Sequence, residues 1–244
     1  VRVSKTHGKA KMSDEVVIVT GAGKGIGKEI AFEFAKEGLV VAICSRTLGG
    51  IKTVEKEIKE RGGRALALAC DVGDEGKVEE FMSRVSEDGN IRALVNNAGV
   101  AFVGSVSGFD LSKWEETIRV NLTGVFLVTK HALKFMDEGS HIFNIASNAA
   151  KTGFPNWSAY CASKFGLLGF TNSLREELRE KGIKVTAIIP GPTDTPLWDE
   201  IPGNWDRKRM MRAVDIARMV VNVYRQPRET LTEEVVMMPM GGAL

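Results

Sequence analysis

Three residues in the second half of the chain have the types and the spacing that proton transfer requires. Tyr160 and Lys164 stand four residues apart in a stretch of helical character, which places both side chains on one helix face. A nearby ammonium favours phenolate over phenol, so we expect Lys164 to lower the pKa of Tyr160 from its usual value of about 10. Tyr160 would then donate a proton in ketone reduction and accept one in alcohol oxidation. Ser147, which precedes Tyr160 in the chain, could hold the substrate oxygen as charge develops on it.

The elements that must position these residues alternate regularly between short apolar runs and helical periodicity. Strands are predicted at 16–19, 39–43, 65–70, 91–95, 142–146, 183–189 and 234–238. Helices are predicted from about residue 26 to 38, 51 to 62, 78 to 85, 111 to 137, 157 to 181 and 213 to 225. This alternation predicts an α/β fold: a Rossmann-type, doubly wound, seven-stranded parallel sheet with helices on both faces, in a single domain.

Length and composition are those of one globular domain. We expect this domain to occupy 13–244, after a basic extension or tag remnant at 1–12. Lys and Arg (33) nearly balance Asp and Glu (31), so nothing indicates a nucleic acid or membrane partner. The sequence shows neither a bilayer-spanning run nor a signal peptide, and we expect a cytoplasmic protein. The three cysteines and three histidines have no ligand spacing, so no disulfide framework and no metal site are expected.

A glycine-rich turn follows the first predicted strand, with the sequence Thr20-Gly21-Ala22-Gly23-Lys24-Gly25-Ile26-Gly27. Glycines allow a sharp turn and close approach to a pyrophosphate, which then sits at the N-terminus of the next helix. The candidate cofactor contacts in this turn are Gly21, Lys24, Gly25, Ile26 and Gly27. The spacing differs from the usual G-x-G-x-x-G, and a plain tight turn is the alternative explanation.

The residues after the second strand indicate which dinucleotide binds. A protein that binds NAD places a carboxylate there to hold the ribose 2′-OH, but this chain has Ser45 followed by Arg46. Arg46 can pair with a 2′-phosphate, and Lys24 could add a second positive charge. These residues favour NADP(H), with NAD(H) as the second choice. The alternative is that both are solvated surface cations.

Two further strand ends carry candidate cofactor contacts. Asp71 and Val72 follow the third strand, and the Asp71 carboxylate could accept a hydrogen bond from the adenine amino group. Asn97, Ala98 and Gly99 follow the fourth strand, in a turn of polar and then small residues that can approach a cofactor closely. Either turn alone is also explained by ordinary turn chemistry.

Taken together, these motifs resemble the short-chain dehydrogenase/reductase family in its compact single-domain branch, over about residues 13 to 195. The resemblance implies a catalytic triad of Ser147, Tyr160 and Lys164, with Lys164 also binding the nicotinamide ribose. It also implies a fourth catalytic residue, Asn121, that holds a water in the proton relay to Lys164. The loop after the sixth strand would surround the nicotinamide carboxamide with Pro190, Gly191, Thr193 and Thr195.

The resemblance implies an NADP(H)-dependent oxidoreductase that transfers a hydride between nicotinamide and a carbonyl or secondary alcohol. The sequence is similar to 3-oxoacyl-[acyl-carrier-protein] reductases, so a 3-oxoacyl thioester or a small ketone is the expected substrate. The long helices at 111–137 and 157–181 resemble the pair through which the family dimerises, and a homodimer or homotetramer is expected. The tail at 230–242 departs from the T-G-x-x-x-x-V-D-G-G pattern of those reductases, which weighs against a tetramer and against an acyl-carrier substrate.

Two rival functions stay open. A sugar dehydrogenase or sugar-nucleotide epimerase also uses Y-x-x-x-K, but its chain resembles G-x-x-G-x-x-G and carries a larger C-terminal region. A non-catalytic NADP(H)-sensing regulator usually lacks the tyrosine and the lysine. The segment 197–212 is rich in Trp, Met and charge, and its place after the nicotinamide loop suggests a mobile lid that shapes specificity. Its basic cluster could meet a phosphorylated or thioester substrate, or could simply be solvated.

Overall fold

The strands of the computed structural model, which describes residues 15–242, occupy all seven predicted places, and two further strands of two residues each were not predicted. They are β1 (Glu15–Thr20), β2 (Val40–Ser45), β3 (Arg64–Ala69), β4 (Asn90–Asn96), β5 (His141–Ile145), β6 (Lys184–Pro190), β7 (Thr193–Asp194), β8 (Met211–Arg212) and β9 (Glu234–Met237). Seven of them form one parallel sheet in the order β3-β2-β1-β4-β5-β6-β9, while β7 and β8 pair with each other. The predicted seven-stranded parallel sheet is confirmed.

Helices cover both faces of this sheet. They are α1 (Gly25–Ala35), α2 (Leu48–Glu60), α3 (Glu75–Ser86), α4 (Leu111–Ile118), α5 (Gly124–Ala132), α6 (Ser158–Arg179) and α7 (Ala213–Tyr224). Alternate residues of β1 point to opposite faces: Val17 and Val19 pack with α1, α2 and α7, whereas Val16 and Ile18 pack with α3, α5 and α6. Burial on both faces explains why the strand sequences are continuous apolar runs.

The predicted long helix at 111–137 is interrupted. A π-helical turn at Arg119–Thr123 joins α4 to α5, and a 3₁₀ turn at Leu133–Phe135 follows. The extra residue in a π turn rotates the following helix relative to the preceding one, which apolar periodicity alone does not reveal. Asn121 lies in this turn and is fully buried. Turns of this kind are frequent at functional sites.

The order in which successive strands are added to the sheet changes direction at β1. The order runs outward from β1 to β2 and β3, and then returns to β4 on the other side of β1. In such sheets a crevice opens beyond the carboxyl ends of the strands at this point. The Thr20 hydroxyl fixes the two strand ends there, because it accepts hydrogen bonds from the N–H groups of Asn97 and Ala98, both at 3.0 Å.

The basic extension predicted at 1–12 lies outside the described residues. Between residues 15 and 242, no helix is long and apolar enough to cross a membrane. The same part of the chain holds no group of three His, Cys, Asp or Glu side chains arranged to bind a metal ion.

Candidate active site

A cleft of about 760 Å³ opens beyond the carboxyl ends of β1 to β6. It brings together residues from every motif that the sequence singled out. The predicted residues that line it are Gly21, Lys24, Gly25, Ile26, Ser45, Arg46, Asp71, Val72, Asn97, Ala98, Gly99, Ser147, Tyr160, Lys164, Pro190, Gly191, Thr193 and Thr195. Two predicted residues, Gly27 and Asn121, are not among its lining residues.

The glycine turn needs glycine at two positions in the cleft. Gly21 has a φ of 65°, and a Cβ there would lie 2.7 Å from the Ala98 Cα. Gly25 has a φ of 59°, and its Cβ would lie 3.2 Å from the Thr195 Cβ. The turn therefore presents bare backbone next to the first N–H groups of α1, as a pyrophosphate requires.

Gly27 has a packing role. A Cβ at this position would overlap the side-chain amide of Asn97 and would lie 2.7 Å from the Gly21 carbonyl oxygen. The Asn97 amide in turn donates to the carbonyl oxygens of Thr20 (2.9 Å) and Gly21 (3.2 Å). Gly27 thus lets α1 approach β4, and its role as a cofactor contact stays a prediction.

The two cations predicted to read the 2′-phosphate both line the cleft, and each has a carboxylate partner. Arg46 Nη1 lies 3.0 Å from Glu116 Oε1, and Lys24 Nζ lies 2.9 Å from Glu200 Oε1. The side chains of Lys24 and Arg46 are both more than half exposed, so each ion pair contributes little to stability. A phosphate can therefore recruit either cation at small cost.

Asp71 is held by an arginine that the sequence analysis missed. Its two carboxylate oxygens accept from Arg119 Nη1 at 3.1 and 3.0 Å, and one also accepts from the Gly73 N–H at 3.0 Å. Partial burial raises the pKa of Asp71, but these hydrogen bonds outweigh it and hold the pKa below its usual value. An ionised Asp71 can accept from an adenine amino group. Arg119 carries no local signal, since 48 residues separate it from Asp71.

Ser147, Tyr160 and Lys164 converge at the cleft floor. Lys164 Nζ lies 5.6 Å from the centroid of the Tyr160 ring and donates to the Ile145 carbonyl oxygen at 2.9 Å. Ser147 Oγ donates to Asn148 Oδ1 at 3.2 Å and lies close enough to the Tyr160 phenol to affect its pKa. The i,i+4 spacing along α6 and the end of β5 thus deliver the geometry that the sequence predicted.

The pKa of Tyr160 departs in the opposite direction from the predicted one. Burial raises it to about 12, and the Ser147 hydrogen bond only partly opposes this rise. Burial also lowers the pKa of Lys164, to about 8. Exclusion of water penalises the charged form of both groups, and this effect exceeds the attraction between ammonium and phenolate at this separation. The cleft therefore holds a neutral phenol, which is the form a proton donor needs.

Asn121 lies behind the cleft wall. Its Oδ1 accepts from the Val100 N–H at 2.8 Å, and its Nδ2 donates to the Val100 carbonyl oxygen at 2.9 Å and to Ser163 Oγ at 3.0 Å. A Cβ at Gly99 would lie 3.4 Å from Asn121 Oδ1 and 3.9 Å from Lys164 Nζ, so Gly99 is close to both side chains. The side chain of Asn121 fixes the loop after β4, and its role in holding a water stays a prediction.

The loop after β6 and the segment 197–212 close one side of the cleft. Thr193 Oγ1 donates to the Gly191 carbonyl oxygen at 3.0 Å, which shapes the loop. Arg207 donates to Asp199 Oδ1 at 2.7 Å and to the Thr195 carbonyl oxygen at 2.9 Å, which ties the segment to the loop. Leu197, Trp198, Ile201 and Trp205 of this segment line the cleft.

Sequence analysis also missed Trp157 as a cleft residue. Its ring lies 5.6 Å from the Tyr160 ring, nearly perpendicular to it. Trp157 directly precedes the first turn of α6 and stands three residues before Tyr160. Residues three apart lie on the same face of a helix, so this spacing from Tyr160 could have identified Trp157 as a cleft residue from the sequence.

The chain is similar in sequence to known enzymes over most of its length. The model of the family described as short chain dehydrogenase matches residues 15–204. A sepiapterin reductase of Chlorobaculum tepidum is 34% identical over 237 residues, covering 93% of this chain and 97% of the relative. A putative ketoacyl reductase of Streptomyces coelicolor is 42% identical over 193 residues, covering 77% and 74%.

Solved structures show the same architecture with a nicotinamide cofactor. A variant of an actinorhodin polyketide ketoreductase with NADPH superposes with a TM-score of 0.85 at 32% identity, covering 95% of this chain and 98% of the other. A short chain dehydrogenase from Burkholderia cenocepacia in complex with NADP gives a TM-score of 0.84 at 30% identity, with coverage of 93% and 97%.

Proposed function

Because this chain belongs to the short-chain dehydrogenase/reductase family of oxidoreductases, we propose that it uses NADP(H) to interconvert a ketone and a secondary alcohol. The observation that carries this proposal is the convergence of Ser147, Tyr160 and Lys164 in a cleft whose other end holds the glycine turn and Arg46. The relatives named as reductases support the direction of ketone reduction.

Ser147, Tyr160 and Lys164 each have a separate role in ketone reduction. Ser147 and the phenol of Tyr160 hold the carbonyl oxygen, and the phenol donates its proton to that oxygen. The Lys164 ammonium stabilises the negative charge that then develops on the phenol oxygen. When bound, the nicotinamide of NADPH supplies the hydride, and its ribose would be held by Lys164.

Arg46 and Lys24 support the choice of NADP(H). Arg46→Ala is expected to weaken NADPH binding about tenfold, because it removes one charge-assisted hydrogen bond at an exposed position. The affinity for NADH should change little, since NADH lacks the 2′-phosphate. Dissociation constants for both cofactors, measured by calorimetry, test this expectation.

Arg84→Ala is the matched control, because Arg84 is an exposed arginine of α3 that pairs with Glu87 and does not line the cleft. It should leave both affinities as they are. Equal losses for NADPH and NADH in Arg46→Ala would show that Arg46 supports the cleft rather than the 2′-phosphate.

We also propose that the chain forms a homodimer through α5 and α6, as expected from the sequence. Phe126 on α5 and Phe165 on α6 are both nearly half exposed, which is unusual for aromatic side chains on adjacent helices. The double variant Phe126→Ser/Phe165→Ser is expected to sediment as a monomer in analytical ultracentrifugation. Val106→Ser, at a more exposed apolar residue elsewhere, should not change the oligomeric state. A wild-type monomer would contradict the proposal.

The proposed function is tested with purified protein, NADPH and a panel of ketones, diketones, aldehydes and 3-oxoacyl thioesters. Oxidation of NADPH with at least one carbonyl compound is expected, and its loss in Tyr160→Phe ties the activity to the cleft. A protein that binds NADPH but oxidises it with none of these compounds would instead fit the non-catalytic regulator. Isomerisation of an added sugar nucleotide without net NADPH oxidation would fit the epimerase alternative.

A further inference from the structure

Three tryptophan side chains form one wall of the cleft beside the catalytic phenol, and we call Trp157, Trp198 and Trp205 the aromatic wall. The ring centroids of Trp157 and Trp198 lie 6.0 Å apart, and those of Trp198 and Trp205 lie 4.9 Å apart. Trp157 also contacts the Tyr160 ring. The wall is therefore continuous from the proton donor to the segment that closes the cleft.

Hydrogen bonds and packing hold these rings in place. The indole N–H of Trp198 donates to the Thr193 carbonyl oxygen at 2.9 Å, and that of Trp205 donates to the Ile201 carbonyl oxygen at 3.2 Å. A Cβ at Gly203 would lie 2.8 Å from the Trp205 ring, so backbone packs directly against this indole. The polar atoms of Trp198 and Trp205 are thus engaged by backbone, and their fixed ring faces remain available for contact.

Apart from Tyr160 and Lys164, the lining residues next to the aromatic wall carry no ionisable side chain, within the part of the chain that the structure describes. Besides the aromatic wall, the lining consists of Phe154, Pro155, Leu197 and Ile201. The charged lining residues other than Lys164 are Lys24, Arg46 and Asp71, which belong to the glycine turn and to the ends of β2 and β3. Lys24 reaches the closing segment, where it is paired with Glu200.

The basic residues of segment 197–212 do not supply a charge for the substrate. Arg207 is paired with Asp194 and Asp199, and Arg212 with Asp215. None of the four basic residues of the segment lines the cleft, including Lys208 and Arg209. This arrangement argues against the phosphorylated or thioester substrate that the basic cluster suggested from the sequence.

We propose that the aromatic wall makes this enzyme selective for ketones borne on an uncharged, planar aromatic ring system, with the ring packed against Trp198 and the carbonyl directed to Tyr160. The proposal rests on the reductase function proposed above. Fixed aromatic faces contribute offset-stacked and edge-to-face contacts in addition to apolar burial, and a saturated ring of the same size cannot form them. A fused two-ring system presents more of this surface than a single ring does.

The test compares methyl naphthyl ketone with methyl decahydronaphthyl ketone, its saturated counterpart, and with acetoacetyl-coenzyme A. We expect kcat/KM with NADPH to be about tenfold higher for the naphthyl ketone than for the saturated one, as stacking contacts of this strength produce. The preference should arise mainly in KM. Equal efficiency with both ketones, or the highest efficiency with acetoacetyl-coenzyme A, would overturn the proposal and leave the reductase function standing.

The variant Trp198→Leu keeps an apolar side chain but removes the ring. It is expected to bring the ratio between the two ketones close to one. Trp205→Leu is the second variant, should Trp198→Leu not fold. Trp114→Leu is the control, because Trp114 lies on α4 and is the one tryptophan of four that does not line the cleft. A ratio unchanged in both wall variants would overturn the proposal.

Calorimetric titration of the naphthyl ketone into the protein with NADP⁺ separates the two claims. Binding that weakens about tenfold in Trp198→Leu supports the aromatic wall even if no ketone is reduced, in which case only the reductase function fails. Absence of binding, or binding equal in wild type and variant, rejects the aromatic wall as a substrate contact whatever the turnover.

Discussion

Tyr160→Phe is expected to lower kcat for ketone reduction by about 10²- to 10⁴-fold, the usual loss when a positioned proton donor is removed. The substitution deletes only the hydroxyl, so the ring keeps its contact with Trp157 and the cleft keeps its shape. The affinity for NADPH should therefore stay close to that of the wild type. Steady-state kinetics with the best ketone of the panel, together with a binding titration, measures both quantities.

Tyr224 provides a matched control, because it is the only other tyrosine in the sequence. Its ring packs edge-on against Phe34 at 5.2 Å and does not line the cleft. Tyr224→Phe should retain activity, and it leaves Tyr160 as the only phenol that can titrate. A Tyr160→Phe protein with near wild-type kcat would show that another group donates the proton.

The single-tyrosine protein also tests the pKa of Tyr160 directly. Tyrosinate absorbance in Tyr224→Phe should rise with a midpoint of about 12 in the absence of cofactor, since burial disfavours the phenolate. The oxidised nicotinamide ring of added NADP⁺ carries a positive charge and would lie near the phenol, so NADP⁺ is expected to lower this midpoint. A midpoint at the ordinary value of about 10 without cofactor would mean that water reaches the phenol.

Local spacing was sufficient to predict the parts of the site that depend on single elements. The pair Tyr160 and Lys164 shares a helix face because of its i,i+4 separation, and the glycine turn follows β1 because a buried strand must end before a tight turn. The sheet itself follows from apolar runs that alternate with helical periodicity, since only a parallel sheet covered on both faces buries such runs.

The features of the site that could not be predicted from the sequence depend on groups that are distant in the chain. Lys24 and Glu200 are 176 residues apart, and no local pattern pairs them. The direction of the Tyr160 pKa was mispredicted for the same reason: the spacing shows the nearby cation, whereas desolvation depends on the many elements that bury the hydroxyl. The motif around Gly27 did not show its packing role, because the Asn97 amide that fills the space beside it is distant in the chain.

Lys164→Met is expected to lower kcat about a hundredfold or more, because no cation then stabilises the charge that develops on Tyr160. The dependence of kcat on pH provides a second test of the role of Lys164. Burial lowers the pKa of Lys164 to about 8, so the wild type loses this charge as the pH rises through that value. The step that this loss produces in log kcat should be absent from the variant. Lys36→Met, at an exposed lysine beyond the end of α1, should keep the step.

The lowered pKa of Lys164 affects stability and activity in opposite directions: as the pH rises, stability should increase while kcat decreases. Since the pKa of Lys164 is about 8 in the folded protein and 10.5 is its ordinary value, the unfolded chain binds more protons between these limits, and wild-type stability rises with pH there. Below about pH 8 the buried ammonium costs the folded state a few kcal/mol. Methionine removes this cost but also the hydrogen bond to Ile145. Urea unfolding should therefore show that the free energy of unfolding of the wild type rises relative to that of Lys164→Met from pH 7 to about 10. If the two proteins show parallel pH dependence, Lys164 is not a desolvated ammonium, and its proposed role in stabilising the phenolate loses its physical basis.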